Sequence, residues 1–175
     1  MRGHTIAAVA VAAITVAASL NAGAPTAYAS NFGNELNGTY RVTTNGEFAK
    51  VNEVFKDVPT IVETWTLSSS CVSPIECEGT AASSAGWTAR LWYGYPNTYW
   101  VVDRDIPDWQ FCPDGLVAPG EQRFQFWGFA PISGERDMKI TNFMVGRQRT
   151  NSPSGSCGTN QPLVIETPLK LEQLS

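Results

Sequence analysis

The residues of this chain with the most distinctive chemistry are four cysteines, a run of aspartates and a single histidine. Cys71 and Cys77 enclose "CVSPIEC", and Cys112 and Cys157 follow as singletons, so the gaps are 5, 34 and 44 residues. A four-cysteine zinc site brings its ligands in close pairs, about two to four residues apart. A thioredoxin-type redox site has about two residues between its cysteines. Neither spacing is present, and an even number of cysteines in an exported chain reads as disulfides. Of the three possible pairings, Cys71–Cys77 with Cys112–Cys157 is favoured. The first would staple a hairpin between "VETWTLSSS" and "EGTAASSAGW", with Pro74 in the reversal. The second would join "FCPDG" to "SGSCGTN", two turn-rich segments at one end of the domain. In the chain-entropy view, closing loops of these lengths is worth about 2.4 and about 4 kcal/mol.

The histidine, His4, lies in a leader. Arg2 gives a short basic start, Ile6 to Leu20 is a largely apolar run of 15 residues, Pro25 breaks any helix, and Ala27-Tyr28-Ala29 is a small-x-small cleavage site. That order is a secretory signal peptide over residues 1–29, and 15 residues are short for a bilayer core that takes about 20. There is no twin-arginine pair and no cysteine at the cleavage site to carry a lipid. The expected product is one secreted domain, 30–175, in the extracellular space or cell envelope, with no membrane span. It has no imidazole, which excludes Ser-His-Asp and Cys-His nucleophile activation and any histidine-containing zinc site. Arg2 leaves too, so 11 of the 12 basic residues face 16 acidic ones, a net of −5. The longest basic cluster is "GRQR", Gly146 to Arg149. Nucleic acid is therefore not an expected partner.

Two clusters remain as candidate sites. Asp103, Asp105, Asp108 and Asp114 lie in "VVDRDIPDWQFCPDG", where Asp103 and Asp105 would share one face of a strand. Close carboxylates can work as acid and base in glycoside cleavage. The spacing is not that of a calcium loop, and a solvated strand end running into a turn accounts for the cluster more simply. The second cluster is aromatic: Trp92, Tyr93, Tyr95, Tyr99 and Trp100 crowd "LWYGYPNTYW". If Leu91 and Tyr93 face the core, Trp92 faces outward beside Arg90, and Trp100 opposes Tyr99. An outward tryptophan beside a tyrosine-rich turn can stack on a sugar or hold an acyl chain, although aromatics also fill all-β cores. Asn37-Gly38-Thr39 matches the N-glycosylation pattern.

These residues need strands to position them. Ile61, Trp65 and Leu67 alternate with Thr64, Thr66 and Ser68, interrupted on the apolar side only by Glu63. In "WTARLWY", Trp87, Ala89, Leu91 and Tyr93 alternate with Thr88, Arg90 and Trp92. "TYWVVDRD", "QRFQFWGF", "MKITNFMVG" and "PLVIETPLKLEQL" are further β-branched and aromatic runs, and Pro168 in the last demands an edge position or a bulge. "TTNGE", "CPDGLVAPGE", "PISGERD" and "NSPSGSCGTN" are turn chemistry. Only Glu47 to Lys56 approaches a helical pattern, and it is short and rich in Val and Phe. The expectation is a single all-β domain, an antiparallel meander of about 7–9 strands closed as a barrel or folded as a sandwich, with two disulfides.

"LNGTYRVTTNGE", the tryptophan-centred strand ending in Cys71, Cys77 followed by "EGT", and the later "WQFCPDG" and "SGSCGTNQPLVIETP" together resemble small secreted mycobacterial proteins of unknown function. They are also similar to the extracytoplasmic domains attached to some mycobacterial Ser/Thr protein kinases. The resemblance covers nearly all of Gly38 to Leu174. It implies a compact disulfide-bonded β-domain with a sensing or binding role, and lends no catalytic residue. This chain has neither kinase domain nor membrane span. The expected function is therefore a secreted non-enzymatic module that binds an unknown small molecule, glycan, lipid or protein through the Trp92 to Trp100 region, with no cofactor. The alternatives are a glycan hydrolase using Asp103 with Asp105 or Asp108, and a structural protein without a ligand. A lipid ligand requires a lipid-sized cavity.

Overall fold

The computed structural model describes residues 31–175; the leader read over 1–29 lies outside them. Eight strands close into an antiparallel barrel: β1 (Gly38–Thr44), β4 (Ile61–Ser73), β5 (Glu76–Ser83), β6 (Thr88–Tyr93), β7 (Trp100–Phe111), β8 (Val117–Ala130), β10 (Phe143–Asn151) and β11 (Val164–Gln173). Each pairs with the next, and β11 returns to β1, with Val42 opposite Leu171. A small hairpin, β2 (Lys50–Val51) and β3 (Val54–Phe55), hangs on β11, and β9 (Glu135–Arg136) pairs with β8. The meander and its closure meet the sequence expectation and decide for the barrel over the sandwich.

Strand alternation sends one stripe of each strand inward. Tyr40, Trp65, Leu67, Leu91, Trp100, Phe126, Met144 and Leu171 fill the interior. Trp65 meets Trp87 and Phe124 edge-on, at 5.0 and 4.8 Å between ring centroids. Leu36 and Phe32 extend the core from the N-terminal segment. Glu35 holds that segment's turn. Its carboxylate accepts the backbone N–H groups of Phe32 (2.8 Å), Gly33 (2.9 Å) and Asn34 (3.1 Å). Slight desolvation pushes its pKa up, but these bonds prevail and hold the carboxyl below its usual range.

Both disulfides form as favoured, and all four cysteines are used. Cys71 and Cys77 face each other across β4 and β5 at one end of the barrel; Cys112 and Cys157 tie the β7–β8 and β10–β11 loops at the other.

Several local expectations are corrected. Gly38–Thr44, not singled out by periodicity, is β1. The segment nearest a helical pattern holds a short 3-10 turn, Gly46–Phe48, and the β2–β3 hairpin. The strand expected from Met138 begins at Phe143 and runs through "GRQR" to Asn151. Asp103 to Asp108 is no strand end. β7 continues to Phe111, with its register interrupted between Ile106 and Gln110, where an irregular stretch absorbs Pro107. Pro168 sits in an interior strand. On one side β11 pairs with β1 up to Leu169 and with β2 from Glu166 back, so the missing N–H of Pro168 falls in the gap between them.

Two strand glycines sit where neighbouring strands approach closely. A Cβ on Gly79 would collide with the Ser68 carbonyl oxygen, and one on Gly146 with that of Gln125. Side chains there would force neighbouring strands apart. Gly79→Ala and Gly146→Ala are each expected to lose about 1–3 kcal/mol in urea unfolding, as overpacked sites do. Gly94→Ala, whose nearest neighbour stands 3.9 Å away, should stay close to wild type; equal midpoints for all three would refute the assignment of close approaches.

Tyr40 is fully buried, and its hydroxyl has no hydrogen-bond partner among the described residues. Burial pushes this phenol up to about 12. A raised phenol pKa gives stability that is intact below the ordinary value of about 10 and is lost as pH rises toward 12. Tyr40→Phe is therefore expected to equal or exceed wild-type stability at pH 7, and to lose less between pH 9 and 11.5 in thermal melts. A large loss at pH 7 would show that the hydroxyl has a partner.

Candidate functional site

The barrel offers an interior and an outer face, and the two differ in chemistry. Inside, the stripes are apolar toward the Cys71–Cys77 end and polar toward the other. Glu63 accepts from Trp65 Nε1 at 2.8 Å and from Ser83 Oγ at 2.6 Å. Arg104 donates through Nε to Gln122 Oε1 at 2.6 Å and lies over the Trp87 ring at 4.4 Å. Gln122 donates to Thr150 Oγ1 at 3.1 Å, and Thr167 Oγ1 to Gln148 Oε1 at 2.7 Å. Desolvation lowers the pKa of the Arg104 guanidinium, while the Glu63 charge opposes that shift. Aromatic stacking and a carboxylate keep this cation inside the barrel mouth.

The cavity there, lined by Glu63, Trp65, Arg104, Gln122 and Gln148 among others, measures about 40 Å³. That holds a few waters at most. That cavity is too small for an acyl chain. The sequence reading missed this polar end. Its signal was present in Glu63, which breaks an apolar stripe, and in Gln122 and Gln148, which share stripes with Phe124 and Met144.

Outside, the aromatic cluster divides. Trp100 and Tyr93 point inward, 1% and 8% exposed, and pack against each other at 5.7 Å. Trp92 points outward, as read from the alternation. Its Nε1 lies 3.4 Å from Asp103 Oδ2, and Arg90 stands 5.6 Å from its ring while pairing with Glu78. Tyr95, in the turn after β6, is 94% exposed. Trp92, Tyr95, Ile75, Glu78 and Arg90 line a groove of about 380 Å³. Tyr99 also faces outward, beside Trp127, with Arg136 near both rings, at 5.8 and 4.8 Å; burial lowers the Arg136 pKa, and Tyr93 and Tyr99 oppose that shift.

A second groove of about 570 Å³ adjoins it across β7, β8 and β10. Asp103 and Asp105 share this face, as expected. Asp103 is clamped by Arg123, with Nε at 2.6 Å and Nη2 at 3.0 Å. That bond raises the Arg123 pKa, and partial burial opposes it. Asp105 lies opposite Glu121 in the register. Asp108 is exposed, and Asp114 accepts the Leu116 N–H at 3.0 Å, closing the β7–β8 turn. The clamp engages both carboxylate oxygens of Asp103. Arg147 and Arg149, read only as a short basic cluster, project onto the same face. Among the described residues no group of three His, Cys, Asp or Glu is placed to hold a metal. Asn37 spends its side chain on the backbone of Ser69, accepting at 3.0 Å and donating at 3.3 Å.

No protein-family model and no curated protein matches the chain. Among solved structures it is similar to the sensor domain of Mycobacterium tuberculosis PknI, in monomer form. The TM-score is 0.54 at 18% identity, covering 79% of this chain and 87% of that one. At this identity the shared property is the fold. The resemblance read from the sequence, to extracytoplasmic domains of mycobacterial kinases, holds at that level.

Removing the acceptor from the polar barrel end tests its role. Glu63→Ala strands the Trp65 indole N–H and the Ser83 hydroxyl and leaves Arg104 without its carboxylate, an expected loss of about 2 kcal/mol in urea unfolding. Glu63→Gln, which still offers an oxygen, should lose less than half of that. Equal losses would assign the effect to charge alone.

Proposed function

We propose that this chain is an exported, non-enzymatic, sensor-like binding module whose ligand sits at the Trp92–Tyr95 groove. The observation that carries the reading is that Trp92 and Tyr95 stand outside a filled barrel, beside Arg90 and Glu78, and line one groove. An aromatic wall next to fixed charged groups is the usual composition of a recognition site. The fold it shares with a sensor domain is consistent with such a role. Closure of all four cysteines fits an oxidising compartment. In this reading the leader ends at Ala29 and 30–175 is the working domain in the extracellular space or envelope. The non-enzymatic part rests on the lack of any imidazole after the leader and on the Arg123 clamp that occupies Asp103.

Binding of a solubilised cell-envelope fraction to the exported form, immobilised for interferometry, tests it. Trp92→Ala and Tyr95→Ala are each expected to weaken retention about tenfold. Phe55→Ala, 72% exposed on the β2–β3 hairpin, should bind as wild type does. Identical retention by all four proteins would sink the assignment of the ligand to this groove.

A further inference from the structure

The charges of the outer face are nearly balanced within it. Arg90 pairs with Glu78, Arg123 with Asp103, and Arg147 with Glu166 at 3.7 Å. Arg149 has no carboxylate within ion-pair distance among the described residues, and Asp105 and Glu121 lie on the same face. A patch so balanced exerts little net field on a charged ligand. It offers instead a dense array of directional hydrogen bonds, because every side chain lining the larger groove ends in a planar carboxylate, amide or guanidinium. Such groups present two acceptors, two donors or one of each in a single plane. That geometry matches pairs of neighbouring hydroxyls.

Several of these groups are already fixed in place. Gln125 donates to the Tyr99 hydroxyl at 3.0 Å and accepts from Arg147 Nε at 2.8 Å. Asp103 is held from two sides by Arg123. Groups ordered beforehand cost little entropy on binding. Val101 sits opposite Trp92 and Gln125 on this outward side of β7, yet is 0% exposed, so the side chains around it are already packed together. Trp92 joins the two grooves through its contact with Asp103. The apolar C–H face of a sugar ring covers an aromatic ring such as Trp92 while its hydroxyls reach outward.

We propose that the two grooves form one face for a neutral glycan, an inference that rests on the binding reading above and names its ligand class. One sugar ring stacks on Trp92 beside Tyr95. The following residues of the glycan lie across β7, β8 and β10, with hydroxyls bonded to Asp105, Gln125, Arg149 and Asn151. From Trp92 on β6 to Arg149 on β10 is three inter-strand spacings, roughly 14 Å along the curved wall, a path that a short run of sugars can follow around the barrel.

The test is affinity electrophoresis of the exported form through gels carrying dextran, mannan or arabinogalactan, with alginate as an acidic comparison. At least one neutral polysaccharide is expected to retard the protein, equally at about 0.05 and about 0.5 M salt. Trp92→Ala should weaken that retardation about tenfold, and Gln125→Ala and Asn151→Ala by roughly three- to tenfold each. Phe55→Ala should leave it unchanged. Retardation by alginate alone, fading with salt, would overturn the neutral assignment. So would mobility unaffected by every polysaccharide. If the envelope-fraction signal then still depends on Trp92, only the glycan assignment falls; if that signal is also independent of Trp92, the binding reading falls with it. Reducing ends released from the retained polysaccharide would overturn simple binding and make the face a hydrolase.

Discussion

Closure of the sheet between β1 and β11 governs everything else in this molecule. A closed barrel has no free edge along its eight main strands, and it has an interior of fixed cross-section that eight inward stripes must fill. Trp65, Trp100, Tyr40 and Phe126 supply the bulk of that filling. Gly79 and Gly146 supply the close approaches that let strands coil around it. Once those tryptophans are inside, little of the interior is left unfilled.

The barrel is graded along its axis. The Cys71–Cys77 end is apolar and is extended by Leu36 and Phe32, whereas the Cys112–Cys157 end is lined by Glu63, Arg104, Gln122 and Gln148. Each disulfide therefore secures loops at one end of a body already held by hydrogen-bonded strands. The polar end carries a charged residue in a position that apolar filling would serve more simply. Its cost is offset by bonds to indole, hydroxyl and amide partners and by the Trp87 ring.

The outer wall shows how strand alternation separates chemistry by one residue. Trp92 and Tyr93 are neighbours in the chain, yet one points outward toward Asp103 and the other packs inward against Trp100; Trp100 and Tyr99 divide the same way. Asp103 and Arg104 part company across the wall of β7, the first to Arg123 outside and the second to Gln122 inside. A cluster that is dense in sequence thus becomes two thinner sets on opposite faces.

Much of this was legible beforehand. Alternation in Ile61 to Ser68 and in "WTARLWY" is local, so it reported strands, their inward faces and the outward stance of Trp92 correctly. Cysteine spacing, combined with turn residues around each cysteine, was enough for both disulfides, because those loops have to lie at the ends of an antiparallel meander. Pairing across the sheet is not local, and there the reading ran out. Nothing in "GRQR" says that Arg147 and Arg149 lie on one face with Asp103 and Arg123, since β7, β8 and β10 meet only after closure sets their register. Nor does a lone Glu63 announce Arg104 as its counterpart, 41 positions along the chain. Composition and period determined what the strands are and which way each residue points; the closed register decided which residues share a site, because contact across a barrel depends on strand order and shear rather than on distance along the chain.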